Sequence, residues 1–226
     1  MNEIILVDNL IHPMVIGMMT KDFEQIGWKK PDIRGGDDRK DYVDKVKQHS
    51  ELRPFHDKNI KEYSDVLQVE LNKSRLFQMV CVPKRIRYFQ FNNYQDGGNY
   101  GWHSDAASMS GLRTDYTVVI GMSDPKTYLG GEHLFLEGSE VKRFRVEKGQ
   151  ALIYPSGIMH RVMPVTKGQR VVAITWIESK IQNPFNRSLI TEMTQLTSSI
   201  KKIDKPFGEA TNRASSLSQN LLRALA

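Results

Sequence analysis

The chain has 226 residues, 39% of them hydrophobic and 26% charged, with a net charge of +6. That length suits one domain with a single buried core, and the balance is ordinary for a soluble globular protein. No apolar run approaches the roughly 18 residues needed to cross a bilayer, and a single cysteine, Cys81, excludes an internal disulfide.

The opening stretch MNEIILVDNLIHPMVIGMMT lacks a basic leader and carries Glu3, Asp8 and His12, so no secretory signal is expected. With the lone thiol, this points to a reducing, cytoplasmic location and no membrane. Residues 10–30 have helical spacing, and 31–41, with Gly35-Gly36, read as a polar loop. Two helices are expected within 40–75. The second carries Ile60, Tyr63, Val66, Leu67 and Leu71 on one face. Cys81 lies in an apolar stretch leading into a strand, which suits a small buried hydrophobe better than a nucleophile.

From residue 84 the period changes to two. Strands are expected over 84–92, 116–122, 132–137, 142–147, 150–155, 161–165 and 170–179, punctuated by Gly, Pro, Asp and Ser. Pro184 then opens a helix with Phe185, Leu189, Met193, Leu196 and Ile200 at helical spacing, and Gly208 to Ala226 reads as a mobile tail. The fold class is therefore mainly β with flanking helices (α+β), built on a sandwich or double-sheet jelly roll. Residues 1–83 form a helical region packed on the core, 84–179 the β-core, and 180–226 the C-terminal helix and basic tail. That last segment holds seven Lys or Arg against three Asp or Glu, so +4 of the +6 lies there. It could touch nucleic acid or an acidic partner; a solvated helix face is the favoured reading. Both a monomer and a homodimer are compatible with the pattern.

In YGWHSDAA, His103 and Asp105 are two apart, and on a strand they share a face. One imidazole and one carboxylate are two-thirds of a 2-His-1-carboxylate triad. His160, in YPSGIMHRV, can supply the third ligand from a distant strand. The competing readings are a surface pair for His103 and Asp105 and a hydrogen-bonded structural histidine for His160. His133 is the one rival ligand. Arg170, ten residues after His160, starts the last strand; on the inner face it can hold a carboxylate, and otherwise it is a surface charge.

Together these residues resemble the Fe(II)/2-oxoglutarate-dependent dioxygenases, in particular their prolyl-4-hydroxylase-like branch. NYQDGGNYGWHSD (93–105) resembles that branch's N-Y-x-x-G-G-x-Y-x-x-H-x-D. RTDYTVVIGMSDPKTYLGGE (113–132) and YPSGIMHRVMPVTKGQRVVAITWIES (154–179) are more specifically similar to bacterial PKHD-type hydroxylases. The resemblance implies a double-stranded β-helix (jelly-roll, cupin-like) core. It implies His103, Asp105 and His160 as iron ligands and Arg170 as the anchor of the 2-oxoglutarate distal carboxylate. Tyr94 matches a tyrosine lying against the co-substrate, and Trp176 a tryptophan of prolyl-hydroxylase-like enzymes; plain core packing also accounts for Trp176. The implied cofactors are Fe(2+), 2-oxoglutarate, O2 and ascorbate. The implied reaction hydroxylates an unactivated C–H, first of all in a prolyl residue of a peptide or protein, with succinate and CO2 as products.

A nucleic-acid demethylase would need a basic, aromatic-lined rim beside the iron, whereas the charge gathers in the tail. A small-molecule hydroxylase and a non-catalytic jelly-roll binding protein are the remaining alternatives. One departure stands out. Several prolyl hydroxylases carry a tyrosine, just before the S-D turn, that assists the distal carboxylate; here that position is Gly121.

Overall fold

The computed structural model describes residues 4–31, 47–203 and 208–225. The first third holds β1 (Ile5–Val7), α1 (Pro13–Ile26), β2 (Lys47–Gln48), β3 (Ser50–Leu52), α2 (Lys58–Lys73) and α3 (Arg75–Cys81). Then come β4 (Pro83–Ile86), β5 (Gln90–Tyr94), β6 (Asn99–His103), β7 (Ser108–Met109), β8 (Leu112–Arg113) and β9 (Tyr116–Gly121). The chain continues through β10 (Leu129–Gly130), β11 (His133–Glu137), β12 (Glu140–Phe144), β13 (Ala151–Pro155), β14 (Met159–Val162), β15 (Val165–Lys167) and β16 (Arg170–Ser179). It ends in α4 (Pro184–Ile203) and α5 (Glu209–Leu225).

Two antiparallel sheets carry the fold, as expected for its class. The major sheet runs β1-β13-β9-β16-β5-β3, with β4 also on β16; the minor sheet runs β12-β11-β14-β6-β2. Their inner faces share a core in which Tyr94, Val119, Leu152, Tyr154 and Val172 of the major sheet meet Phe135 and Val162 of the minor one. This is the layout of a jelly roll. The other face of the major sheet is covered by α1, α2 and α3. Phe23 of α1 packs on Phe91 of β5 with ring centres 4.6 Å apart, and Leu67, Leu71 and Phe77 join Val118, Ile120 and Ala173. Burying each such side chain contributes about 1.5–3 kcal/mol.

Capping explains several boundaries. Met14 N–H donates to His12 Nδ1 and Pro13 occupies the first turn of α1, where its missing N–H costs nothing. Asp57 accepts from Asn59 N–H at the start of α2. Ser74 accepts from Phe77 N–H, so residues 75–81 form a helix that leads into β4. Val82, at φ 40, and Pro83 end it. Cys81 is fully buried there, and burial pushes its thiol pKa up, as a small hydrophobe requires.

Other expectations are corrected. Within the first of the two helices expected in 40–75, residues 47–52 are strands, because they close the open edges of both sheets onto β6 and β5. The rest of that segment and nearly all of the 31–41 loop lie outside the described residues. The strand over 84–92 is broken at Arg87–Phe89, where Ser64 Oγ of α2 takes the Phe89 N–H. The strand over 161–165 is interrupted at Met163 and Pro164, since proline has no N–H for a ladder.

Residues 209–225 of the tail form a helix. Thr211, Ala214 and Ser218 of α5 are buried, and Thr197 of α4 donates to Ala214 O. The apolar stripe read along α4 is not its docking face: Phe185 is 72% and Leu196 53% exposed. Arg187, Ile190 and Thr191 are buried instead. Arg187 Nη1 donates to Asp115 Oδ1 at 3.0 Å, and Asp115 also accepts from Arg113 and from Ser179 N–H. The R-T-D motif is thus the knot that ties β8, β9, β16 and α4 together.

Candidate metal centre and its cavity

β6 and β14 are neighbours in the minor sheet, and their pairing places His103 directly opposite His160. The two rings are 4.2 Å apart between centres. Asp105 reaches them differently from expectation. β6 ends at His103, so the carboxylate comes from the following loop and not from a shared strand face. Two staples make that loop rigid. Asp105 N–H donates to Ser156 O at 3.0 Å, and the Thr117 hydroxyl donates to Asp105 Oδ2 at 2.5 Å. Thr117 is itself 2.8 Å from Ser156 Oγ.

One ligand atom from each of His103, Asp105 and His160 lies within 4.8 Å of the other two. Among the described residues this is the one group of three His, Cys, Asp or Glu that could hold a metal ion. Both imidazoles are oriented by the main chain. Nδ1 of His103 is 2.8 Å from Gly101 O, and Nδ1 of His160 is 2.9 Å from Ile158 O. A carbonyl oxygen only accepts, so each Nδ1 carries a hydrogen and Nε2 is the nitrogen turned toward the other ligands. Burial, reinforced by the neighbouring His160, lowers the His103 pKa to about 4, so the ring is neutral at physiological pH. Tyr100 stacks on His103 at 3.6 Å and an interplanar angle of 15°. The Tyr154 hydroxyl is 3.3 Å from His160 Nε2, and burial raises its pKa well above 10, so it remains a phenol.

The trio lines a cavity of about 650 Å³ between the sheets, together with Tyr94, Thr117, His133, Tyr154 and Trp176. Arg170 lies at the start of β16, opposite Tyr94 in register, with its guanidinium carbon 5.1 Å from the centre of the Tyr94 ring. It is 3% exposed, so it is no surface charge, and its Nη1 has no hydrogen-bond partner among the described residues. A buried cation with an unused donor fits an anionic partner. Trp176 is on the cavity wall, 7% exposed, with Nε1 unpartnered among the described residues. His133 is close to His160, with ring centres 5.3 Å apart, but falls outside the trio. Gly121 is accounted for by crowding. A Cβ there would lie 2.3 Å from Glu147 O and 3.0 Å from Val146 O, so main chain fills the place of any side chain.

Sequence reading missed Thr117, Ser156, Tyr100, Lys47 and Arg87, all of which shape the site or its mouth. Only Thr117 carried a signal: it is the polar residue at an inward position of the apolar strand β9.

Residues 89–178 match the model of the 2OG-Fe(II) oxygenase superfamily. A PKHD-type hydroxylase of Idiomarina loihiensis is 36% identical over 162 residues, spanning 71% of this chain and 73% of the relative. The chain belongs to the PKHD-type hydroxylases within that superfamily, and is an oxygenase. The family implies iron(II), 2-oxoglutarate and O2. Solved structures agree on the fold. A prolyl-4-hydroxylase from Pseudomonas putida gives a TM-score of 0.56 at 13% identity, covering 78% of this chain and 93% of that one. A Trichoplax adhaerens prolyl hydroxylase, in complex with a hypoxia inducible factor peptide fragment, gives 0.55 at 15% identity, covering 82% and 86%. Among the described residues no helix is long and apolar enough to cross a membrane.

Proposed function

We propose that this chain hydroxylates an unactivated C–H in a prolyl residue of a peptide or protein, with iron held by His103, Asp105 and His160 and 2-oxoglutarate anchored on Arg170. The observation that carries this is the convergence of the three ligand atoms within 4.8 Å beside a buried, unpartnered guanidinium nitrogen. When bound, iron(II) with 2-oxoglutarate and O2 supplies the oxidising power for C–H hydroxylation, and the co-substrate leaves as succinate and CO2. The protein's part is position and exclusion of water. Gly101 O and Ile158 O hold the imidazoles, Thr117 and Ser156 hold the carboxylate, and Tyr94 supports the Arg170 guanidinium. Trp176 Nε1, on the wall, is placed to donate to a substrate carbonyl.

The prolyl assignment draws on the two solved prolyl hydroxylases whose fold this chain shares. The mouth adds a charge preference. Lys47, Arg53 and Arg87 line it beside Tyr100 and Trp176, with Arg53 ion-paired to Glu51 at 2.8 Å. That favours a substrate with acidic groups near the target. The same basic, aromatic rim is what a nucleic-acid substrate would use, and it supports that class as the second reading. The test is mass spectrometry of acidic and neutral proline peptides and of methylated oligonucleotides, incubated with the enzyme, iron(II), 2-oxoglutarate, O2 and ascorbate. Gain of one oxygen on proline, with matching succinate, is expected, and faster on acidic peptides. Loss of a methyl group from the oligonucleotide, with peptides untouched, would overturn the prolyl reading.

Thr117 gives a second expectation. Partners that orient a metal ligand typically contribute 10–100-fold in metal affinity. Thr117→Val should therefore weaken iron(II) binding about tenfold while leaving the melting temperature nearly unchanged. Unaltered affinity in a metal titration would show that Asp105 needs no such support.

A further inference from the structure

We infer that His133 is the second hydrogen-bonding partner of the co-substrate's distal carboxylate, beside Arg170; this rests on the reading of the site given above. His133 starts β11, points between the sheets and lines the metal cavity. It is 3% exposed, and neither ring nitrogen has a hydrogen-bond partner among the described residues. A buried polar group left in that state is destabilising unless a ligand satisfies it. The ring cannot turn away to find a partner. It is stacked on Phe135 at 4.6 Å and 5°, and edge-on to Tyr154 at 5.3 Å.

Two unsatisfied buried groups therefore belong to the same region. Arg170 presents Nη1 without a partner among the described residues. Gly131, two residues before His133, has its Cβ position 2.7 Å from Arg170 Cδ, so the β11 approach and the arginine are in direct contact. A carboxylate offers about four acceptor sites, of which a guanidinium fork occupies two. An imidazole N–H can take a third. No other side chain can come from position 121, which Glu147 O and Val146 O have closed.

Two rival assignments are weaker. As a metal ligand, His133 falls outside the trio. His49 has the same pair of unpartnered nitrogens and sits 4.9 Å from the Tyr94 ring, but it lines a separate cleft with Asn93 and Gln95.

The experiment is calorimetric binding of 2-oxoglutarate and of 2-oxobutyrate to the full chain loaded with Mn(II). Both acids have the chelating 2-oxo acid head, and only the first has a distal carboxylate. His133→Leu should weaken 2-oxoglutarate binding about tenfold or more, the worth of a hydrogen bond to a charged group, while Mn(II) and 2-oxobutyrate affinities stay within about twofold. His133→Asn, which restores an N–H, should recover part of the loss, and His49→Leu should lose nothing. The inference is overturned if 2-oxoglutarate affinity survives in His133→Leu, if both acids or the metal weaken equally, or if His49→Leu shows the selective loss instead. Failure of the unaltered protein to bind 2-oxoglutarate at all would overturn the reading of the whole site, a different and separable result.

Discussion

Alanine in place of His103 or Asp105 should abolish succinate formation and, with it, metal binding. Each residue contributes one of three converging ligand atoms, and no other His, Cys, Asp or Glu among the described residues completes a second such group. Outer partners of metal ligands typically contribute 10–100-fold to affinity, so loss of a ligand itself should exceed about 100-fold. The measurement is iron content after dialysis, followed by 2-oxoglutarate turnover with metal resupplied. Decarboxylation that persists in both variants would refute the ligand set. Because His103 is stacked on Tyr100 and half-enclosed, a melting curve on each variant separates loss of metal from loss of fold.

The second large effect concerns stability. Asp115→Ala should destabilise the protein by about 3–5 kcal/mol, because it leaves the buried Arg187 cation without its carboxylate. Arg187 is 5% exposed and retains no carboxylate among the described residues, only Ile181 O, Gln182 O and the neighbouring Tyr116. Ser179 N–H, which donates to Asp115 Oδ2 at 2.8 Å, is stranded as well. For a chain of this size the loss corresponds to a fall in melting temperature of roughly 10 °C. Denaturant midpoints on Asp115→Ala and Asp115→Asn check it. A midpoint unchanged in the alanine variant would mean that α4 is held by its apolar contacts alone.

Much of this was legible in the sequence, and the exceptions share a cause. Period-two strands and their turn residues announced most of the strands from β9 to β16, because a strand with one face on a core must alternate. His160 and Arg170 lie on regular strands, as their spacing suggested, one in each sheet. Asp105 was found for the wrong reason: H-x-D suggests a strand, but the carboxylate is carried by a loop that Ser156 and Thr117 hold in place. Local sequence could not reveal such distant staples. The same holds for 47–52, whose strand state depends on open edges elsewhere. On α4 the apolar spacing pointed to the wrong face, since a buried arginine paired with Asp115 outweighed Phe185 and Leu196 in orienting the helix.

The orientation of the two histidines by Gly101 O and Ile158 O has an evolutionary consequence. In many metal sites an acidic or amide side chain fixes the imidazole tautomer, and any substitution there disturbs the metal. Here that duty falls on peptide carbonyls two residues upstream, and a carbonyl persists whatever residue bears it. Cavity side chains that hold no proposed ligand, unlike Thr117, can therefore diverge and change which substrate is admitted without altering the tautomer of either histidine. A lineage built on this arrangement can exchange its substrates while keeping its metal.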